Sequence, residues 1–334
     1  MNRFILRYWL SLVLLAACGL PGLVGASEKD GAADGTAAAD EDLTFFVVSD
    51  THYGMLPVHD ATNLQMVDKM NDLPGTPYPD ALGGKVGTPR GVIHCGDVTN
   101  SSTAEHWNAF VEDYGLDGTD WRLKYPVYET FGNHDGGSRS PVLKGIRQRN
   151  ESRVGVKDVS ENGLYYAWDW GRVRLVCLGI SPGTTRIRHD SVNSTDFAVR
   201  DLAKNVGMSG RPVFLFHHFG LGVSGAWQTR YRNAIQGYNV AGILHGHDHR
   251  PFITTWQGFD VYHPPHQSGF FVFRLAGGEL SVAERKMDDT WGLTSKKPVK
   301  LADAGGALEE IAAGKVLTAL SGTAPWTWLG SPWR

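Results

Sequence analysis

Cysteine is almost missing from this chain: three occur in 334 residues, at positions 18, 95 and 177, too few for a disulfide framework. Cys95 and Cys177 each fall inside an apolar, strand-like run, where a thiol behaves as a small buried hydrophobe. An excess of basic charge is missing too. Lys and Arg number 32 against 35 Asp and Glu, a formal net charge of −3, so the chain lacks the cationic footprint of a nucleic-acid binder. No internal repeat is visible, which sets repeat architectures aside. What is plentiful is apolar material: 42% of the residues are hydrophobic, enough for a real core in one large domain or two ordinary ones.

The N-terminus reads as an export signal. Arg3 and Arg7 form a charged start, and positions 8–26 carry no charge, with Leu10, Leu12, Val13, Leu14 and Leu15 as the apolar centre. Two cleavage sites compete within residues 1–26. Leu15-Ala16-Ala17-Cys18 resembles a bacterial lipobox, and cleavage before Cys18 would leave that cysteine lipidated. Val24-Gly25-Ala26 offers an ordinary small-residue site ahead of Ser27, with Pro21 breaking the apolar helix before it. An uncleaved membrane anchor is the third reading, but the Gly/Pro-rich second half of the run makes a poor span. The lipoprotein is favoured, because the cysteine directly follows a compact apolar core. The chain is thus expected to be exported: a periplasmic or cell-surface lipoprotein if bacterial, otherwise secreted. Residues 27–42 hold no large apolar side chain and read as a flexible linker.

Five short polar stretches follow, each at the end of an apolar run. They are Asp50-Thr51-His52 after Leu43–Val48, Gly96-Asp97 after Val92-Ile93, and Gly132-Asn133-His134-Asp135 after Tyr125–Tyr128. Phe216-His217-His218 closes the run Val213–Phe216, and Gly246-His247-Asp248-His249 follows Val240–Leu244. A strand ending in polar side chains, with glycines letting the backbone turn, presents those groups at one rim. In an open α/β sheet ligands sit at the carboxyl ends of strands, so the five tips can converge on one crevice.

Between the tips the periodicity alternates. Helical spacing recurs at Leu64, Val67 and Met70, from Thr103 to Tyr114, from Pro141 to Arg149, from Thr195 to Val206 with Ser194 or Thr195 as cap, and at Trp227, Tyr231 and Ile235. The rest of the long segment after the first strand, with its prolines, reads as loop. Gly163–Gly171 with Val173–Leu178 reads as a hairpin. Four further strands run from Phe252 to Glu284, and beyond Lys296 the pattern fades, with one helix expected around Leu308, Ile311 and Leu317.

Taken as an ordered set, Asp50-x-His52, Gly96-Asp97, Gly132-Asn133-His134-Asp135, a histidine after a strand and Gly246-His247-x-His249 resemble the calcineurin-like metallophosphoesterases over roughly residues 43–290. The resemblance implies an α/β fold, a four-layer α/β/β/α sandwich, with residues 291–334 as a C-terminal extension. Two transition-metal ions are implied, without choosing among Zn, Fe, Mn, Ni and Co. Asp50, His52, Asp97 and His249 would hold one, and Asp97, Asn133, His217 and His247 the other. Asp97 is the shared carboxylate, since two oxygens can serve one ion each. Neighbours on an extended strand point to opposite faces, so only one of His217 and His218 reaches the ions. The family pattern gives His217 as the ligand, leaving His218 for an outer or substrate-binding role.

His134 matches the family's proton donor to the leaving oxygen, with Asp135 orienting it. Arg139, Lys144, Arg147, Arg149 and Arg153 follow closely; they either grip an anionic substrate, Arg139 and Arg147 foremost, or form a solvated helix face. His94 and His245 read as core or supporting groups, and His263 and His266, flanking Pro264-Pro265, as candidates to line the pocket. The metal-binding tyrosine that purple acid phosphatases carry three residues after the bridging aspartate is replaced here by Asn100. The expected activity is hydrolysis of phosphate mono- or diesters by a metal-bridging hydroxide, on a small-molecule or lipid-headgroup substrate. A silent binding or scaffold protein and a nuclease are the rivals. The first would have lost ligands, and the second is disfavoured by the acidic balance.

Overall fold

The computed structural model describes residues 42–153, 155–183, 193–222 and 226–301. The expected leader with Cys18, nearly all of the expected linker and the helix expected near Leu308 lie outside them.

The chain begins with β1 (Asp42–Val48), α1 (Pro57–Asp72), β2 (Val92–His94), α2 (Ala104–Tyr114) and β3 (Val127–Glu129). A single 3-10 turn at Asn133–Asp135 leads to α3 (Pro141–Ser152), then β4 (Val156–Val159), β5 (Tyr166–Trp170) and β6 (Val173–Cys177). Next come α4 (Ser194–Asn205), β7 (Val213–Phe216), α5 (Ala226–Ile235) and β8 (Val240–Leu244). The last strands are β9 (Phe252–Trp256), β10 (Phe259–His263), β11 (Gly269–Ala276), β12 (Glu279–Lys286) and β13 (Trp291–Pro298).

Two sheets result, a six-stranded one in the order β13-β12-β11-β1-β2-β3 and a seven-stranded one in the order β4-β5-β6-β7-β8-β10-β9. β1, β2 and β3 run parallel, as do β6, β7 and β8, so the motif-bearing ends of β1, β2, β3, β7 and β8 are all carboxyl ends. Strands covered on both faces read as unbroken apolar runs, and β1 shows why. Phe45 and Val47 enter the layer between the sheets, whereas Phe46 and Val48 face the helices. The inter-sheet layer is aromatic: Phe45 stacks on Phe273 at 4.8 Å and meets Phe214 edge-on at 5.3 Å, joining the two sheets.

Helices cover the outer faces. α1 and α2 bury Met66, Val67, Met70 and Phe110 with Phe46 and Val48, while α4 and α5 bury Phe197, Leu202, Tyr231 and Ile235 with Leu215 and Ile243. The expected α/β/β/α sandwich is therefore the observed one. Cys95 and Cys177 are free and lie in the inter-sheet layer.

Three details differ from the sequence reading. α1 starts at Pro57, where a proline fits the first turn, and it turns Leu64 outward at 37% exposure in favour of Met66. α4 is capped by Asn193, whose side chain accepts the Thr195 N–H, rather than by Ser194 or Thr195. The sheet also runs past residue 290. β13 pairs with β12 from Trp291 to Pro298 as an edge strand bearing Lys296 and Lys297, a composition that discourages further pairing.

One buried charge cluster braces the site from below. Glu129, fully buried at the end of β3, accepts from Arg149 Nε at 2.9 Å and from Arg153. Arg153 also lies over the rings of Tyr128 and Tyr166, at 5.6 and 5.0 Å. This ties α3 to the strand that delivers Gly132.

Candidate metal centre

The five polar tips meet at the carboxyl end of the seam between the sheets. Among the described residues, seven non-glycine residues have positive φ, and five of them are expected ligands: Asp50, His52, Asp97, His247 and His249. Backbone held in this sparsely populated region concentrates at functional sites, where surrounding packing enforces it. The motif glycines permit the close approach. A Cβ on Gly132 would stand 2.1 Å from Asp97 Oδ1, and one on Gly246 would stand 1.9 Å from Ser49 Oγ and 2.8 Å from Asp50 Oδ2.

On one side, His52 Nε2 and His249 Nε2 face each other at 3.1 Å. Asp50 Oδ1 lies 3.9 Å from the first and 3.4 Å from the second, and Asp97 Oδ2 lies 3.9 Å from His52. On the other side, His218 Nε2 lies 3.3 Å from Asp97 Oδ2 and 3.1 Å from Asn133 Oδ1, and His247 completes a group of ligand atoms with Asp97 and His218. Asp97 is thus common to two clusters. Its other oxygen accepts the His134 N–H at 2.8 Å, which fixes the carboxylate plane.

Charge in the cluster is arranged for cations. Burial alone would raise the Asp50 carboxyl, but the hydrogen bond from His249 and the charge on His218 more than offset it and hold Asp50 well below the usual range. Asp97 is likewise lowered: burial opposes, and the bond and charge of His218 prevail. Burial pushes His52 down to about 4 and lowers His247, so both present neutral imidazoles. His218 moves the other way. Burial disfavours its charge, but Asp97 and Asp50 raise it to about 9. In the metal-free protein a proton on His218 therefore stands where a cation would.

One ligand assignment is corrected. His218, not His217, reaches the cluster. β7 explains the reversal: Val213 and Leu215 face the helices and Phe214 and Phe216 the inter-sheet seam, so position 217 continues the helix side and 218 the seam. His217 is fully buried 5.9 Å from a parallel His245 and 6.2 Å from Tyr231.

Asp135 is corrected as well. It does not touch the His134 ring. Its buried carboxylate accepts the N–H of Gly132 at 2.8 Å, of Thr99 at 2.9 Å and of Val98 at 3.2 Å, with the Thr99 hydroxyl at 2.9 Å, and so locks two site loops together. Burial, with Asp97 nearby, pushes it up to about 7 against those donors. His134 is oriented instead by the Asn100 carbonyl, 2.9 Å from Nδ1. A carbonyl only accepts, so Nδ1 carries the proton. The His134 ring meets that of His52 edge-on at 4.7 Å.

Three of the five residues of the basic run serve structure. Arg149 and Arg153 neutralise Glu129, and Arg147 donates to the carbonyls of Asn162 and Ser138, both at 2.8 Å. Arg139 is exposed on the loop ahead of α3.

Several supporting groups have no motif to announce them. Thr51 gives its hydroxyl proton to the Val98 carbonyl at 3.0 Å, so the 2.9 Å contact with His94 Nε2 makes His94 the donor, and His94 Nδ1 accepts from Gly96 N–H at 3.2 Å. His263 Nε2 accepts the Asp248 N–H at 3.0 Å, between the two expected ligands of that loop. His266 stacks on His249 at 4.5 Å, so both histidines flanking the proline pair belong to the site's surroundings. The proline pair was the only sequence signal for them.

The donors are imidazole nitrogen, carboxylate and amide oxygen, with no thiolate, and their lone pairs converge from both sides on Asp97. That set could hold borderline first-row transition-metal ions. Fold and site together define a two-sheet α/β/β/α sandwich with a candidate metal centre at its strand ends. The model of the calcineurin-like phosphoesterases matches residues 43–251, and the chain belongs to that family. No curated protein sequence matches it. Among solved structures, the GAP50 anchor of the Plasmodium inner membrane complex is 12% identical, with TM-score 0.50, covering 84% of this chain and 95% of its own. A putative 5'-nucleotidase from Staphylococcus aureus is 15% identical with TM-score 0.42, covering 84% and 57%. TT1561 of Thermus thermophilus is 12% identical with TM-score 0.45, covering 77% and 99%.

Proposed function

We propose that this chain hydrolyses phosphate mono- or diesters at a site holding two metal ions. Asp50, His52, Asp97 and His249 would hold one, and Asp97, Asn133, His218 and His247 the other. The observation that carries the reading is the Asp97 carboxylate, buried and shared by two converging donor groups. A pair of ions bound there would supply Lewis acidity and neutralise phosphate charge.

The chain's own residues supply the remainder. Asp135 and His94 hold the loops after β1, β2 and β3 in fixed relation, so the donors are preorganised. His134 stands at the edge of the cluster with its Nδ1–H given to a carbonyl, so the proton for a departing alkoxide would come from Nε2 of the doubly protonated ring. A silent binding or scaffold protein with this fold has no need of all seven donors, and their nearness to one another supports turnover.

Export is part of the proposal, through lipidation at Cys18 or cleavage after Ala26. Membrane fractionation of wild type and Cys18→Ser decides between them: release by the variant supports the lipid anchor, and a soluble wild type beginning at Ser27 supports ordinary export. A panel of phosphate mono- and diesters, assayed on metal-free protein reloaded with Mn, Zn or Fe, tests the activity. Turnover that depends on the added ion is expected; no turnover on any ester with two ions bound favours the silent binding or scaffold protein.

A further inference from the structure

We infer that His266 is an additional imidazole donor on the His52/His249 side of the centre, making that side richer in nitrogen than the other. The inference rests on the two-ion reading above. A ligand atom of His266 lies within 4.8 Å of those of both His52 and His249, the same closeness that groups Asp97 with His218 and His247. Its ring centroid lies 4.5 Å from that of His249 and 5.4 Å from that of His52; the His266 and His249 planes are now 7° apart, so binding one ion together would tilt the His266 ring out of that alignment. Its Nε2 is buried and makes no hydrogen bond among the described residues. A buried ring nitrogen without a partner costs free energy unless something binds it, and here its neighbours are two imidazoles already assigned to an ion.

The backbone around His266 is built to hold it there. Pro264 and Pro265 precede it, each with φ fixed by its ring, so the approach to His266 has little freedom to lose. Gln267 follows, and its side-chain amide donates 2.7 Å to the Thr51 carbonyl, between the ligands Asp50 and His52. The loop after β10 is thereby clamped to the loop after β1, with the imidazole between them.

With His266 included, one ion would have three imidazoles and two carboxylates, and the other two imidazoles, a carboxylate and an amide. Affinity for nitrogen-rich sites rises toward the later first-row ions, so the two positions should differ in retention, with the His266 side holding Zn, Co or Ni longer. Neither the order of the motifs nor the shared carboxylate requires that asymmetry.

The test uses full-length protein, stripped with a chelator and titrated with Co(II), comparing wild type, His266→Gln and His59→Gln. His59 is the next ring outward, 6.4 Å from His266, and belongs to neither donor group. Loss of a direct donor should weaken the tighter Co(II) step by at least the ~10- to 100-fold that loss of an outer partner costs. The visible Co(II) bands should also move to longer wavelength as weaker-field water replaces imidazole, while His59→Gln changes neither readout. His266→Asn provides a second variant should the Gln form fold poorly, as judged by the melting of the stripped protein. If wild type binds two Co(II) and both variants keep its affinity and spectrum, the inference falls and the two-ion reading stands. A change confined to KM, with affinity and spectrum intact, makes His266 a substrate contact and also overturns it. A wild type that binds no Co(II) removes the two-ion reading first.

Discussion

Replacing His218 and His217 separately by alanine separates two neighbours that the sequence leaves interchangeable. His218 touches Asp97 at 3.3 Å and Asn133 at 3.1 Å, and it is one of four donors on its side. Removing it should cost the second ion on the order of 100-fold or more in affinity, which is about 3 kcal/mol at 1.4 kcal/mol per tenfold. His217→Ala does something different. That ring is fully buried against His245 and Tyr231, away from the cluster, so its loss leaves a cavity costing roughly 2–5 kcal/mol, as other large-to-small core changes do. Metal content by mass spectrometry after dialysis against a weak chelator, with urea unfolding alongside, reads both. The expected pattern is a second ion lost for His218→Ala and two ions kept for His217→Ala; both rings are fully buried, so the urea midpoint falls in both and metal content carries the distinction. If His217→Ala loses the ion and His218→Ala keeps it, the strand register described for β7 is wrong.

Three further outcomes follow. Glu129→Ala leaves the Arg149 and Arg153 guanidinium groups without their shared carboxylate, and removal of one partner from such a buried cluster costs roughly 3–5 kcal/mol; a loss below about 1 kcal/mol in urea unfolding would show that water compensates. His134→Ala with both ions retained should lose roughly 10²–10⁴-fold on an alkyl phosphate and far less on a nitrophenyl ester, since only the alkoxide needs a proton to leave; equal losses on the two would remove the acid role. The metal-free protein should lose stability as pH rises toward 9. His218 has its folded value raised to about 9 against an ordinary 6.5, so its contribution is complete below 6.5 and disappears as pH passes 9, up to roughly 3 kcal/mol. Urea midpoints of stripped protein between pH 6 and 10 that stay flat would contradict the His218–Asp97 pairing.

Much of the site is legible because its chemistry is carried by short strings at strand ends. Asp50, His52, Asp97, Asn133, His247 and His249 come together at the strand ends, and alternating periodicities give the sandwich. The histidine after β7 was misplaced for a physical reason. Val213–Phe216 is buried on both faces, so apolarity alone does not say which face looks into the seam, and the parity appears only once both layers are packed. The role of Asp135 was hidden because a carboxylate beside a histidine suggests a side-chain pair, whereas the turn geometry aims it at three backbone N–H groups. Arg149 and Arg153 look like an exposed basic face until Glu129, twenty residues earlier, proves to be buried beneath them. β13 was missed because an edge strand with one solvated face carries little apolar signal.

Asp97→Ala puts the central claim to the most direct test. Asp97 is the single residue common to both donor groups, so its loss leaves each side short of a ligand and the two ions without a carboxylate between them. Metal content and phosphoesterase turnover, measured on one preparation, should fall together, from two ions per chain to one or none, with activity near background. Two ions per chain and near wild-type turnover in Asp97→Ala would contradict the shared-carboxylate centre.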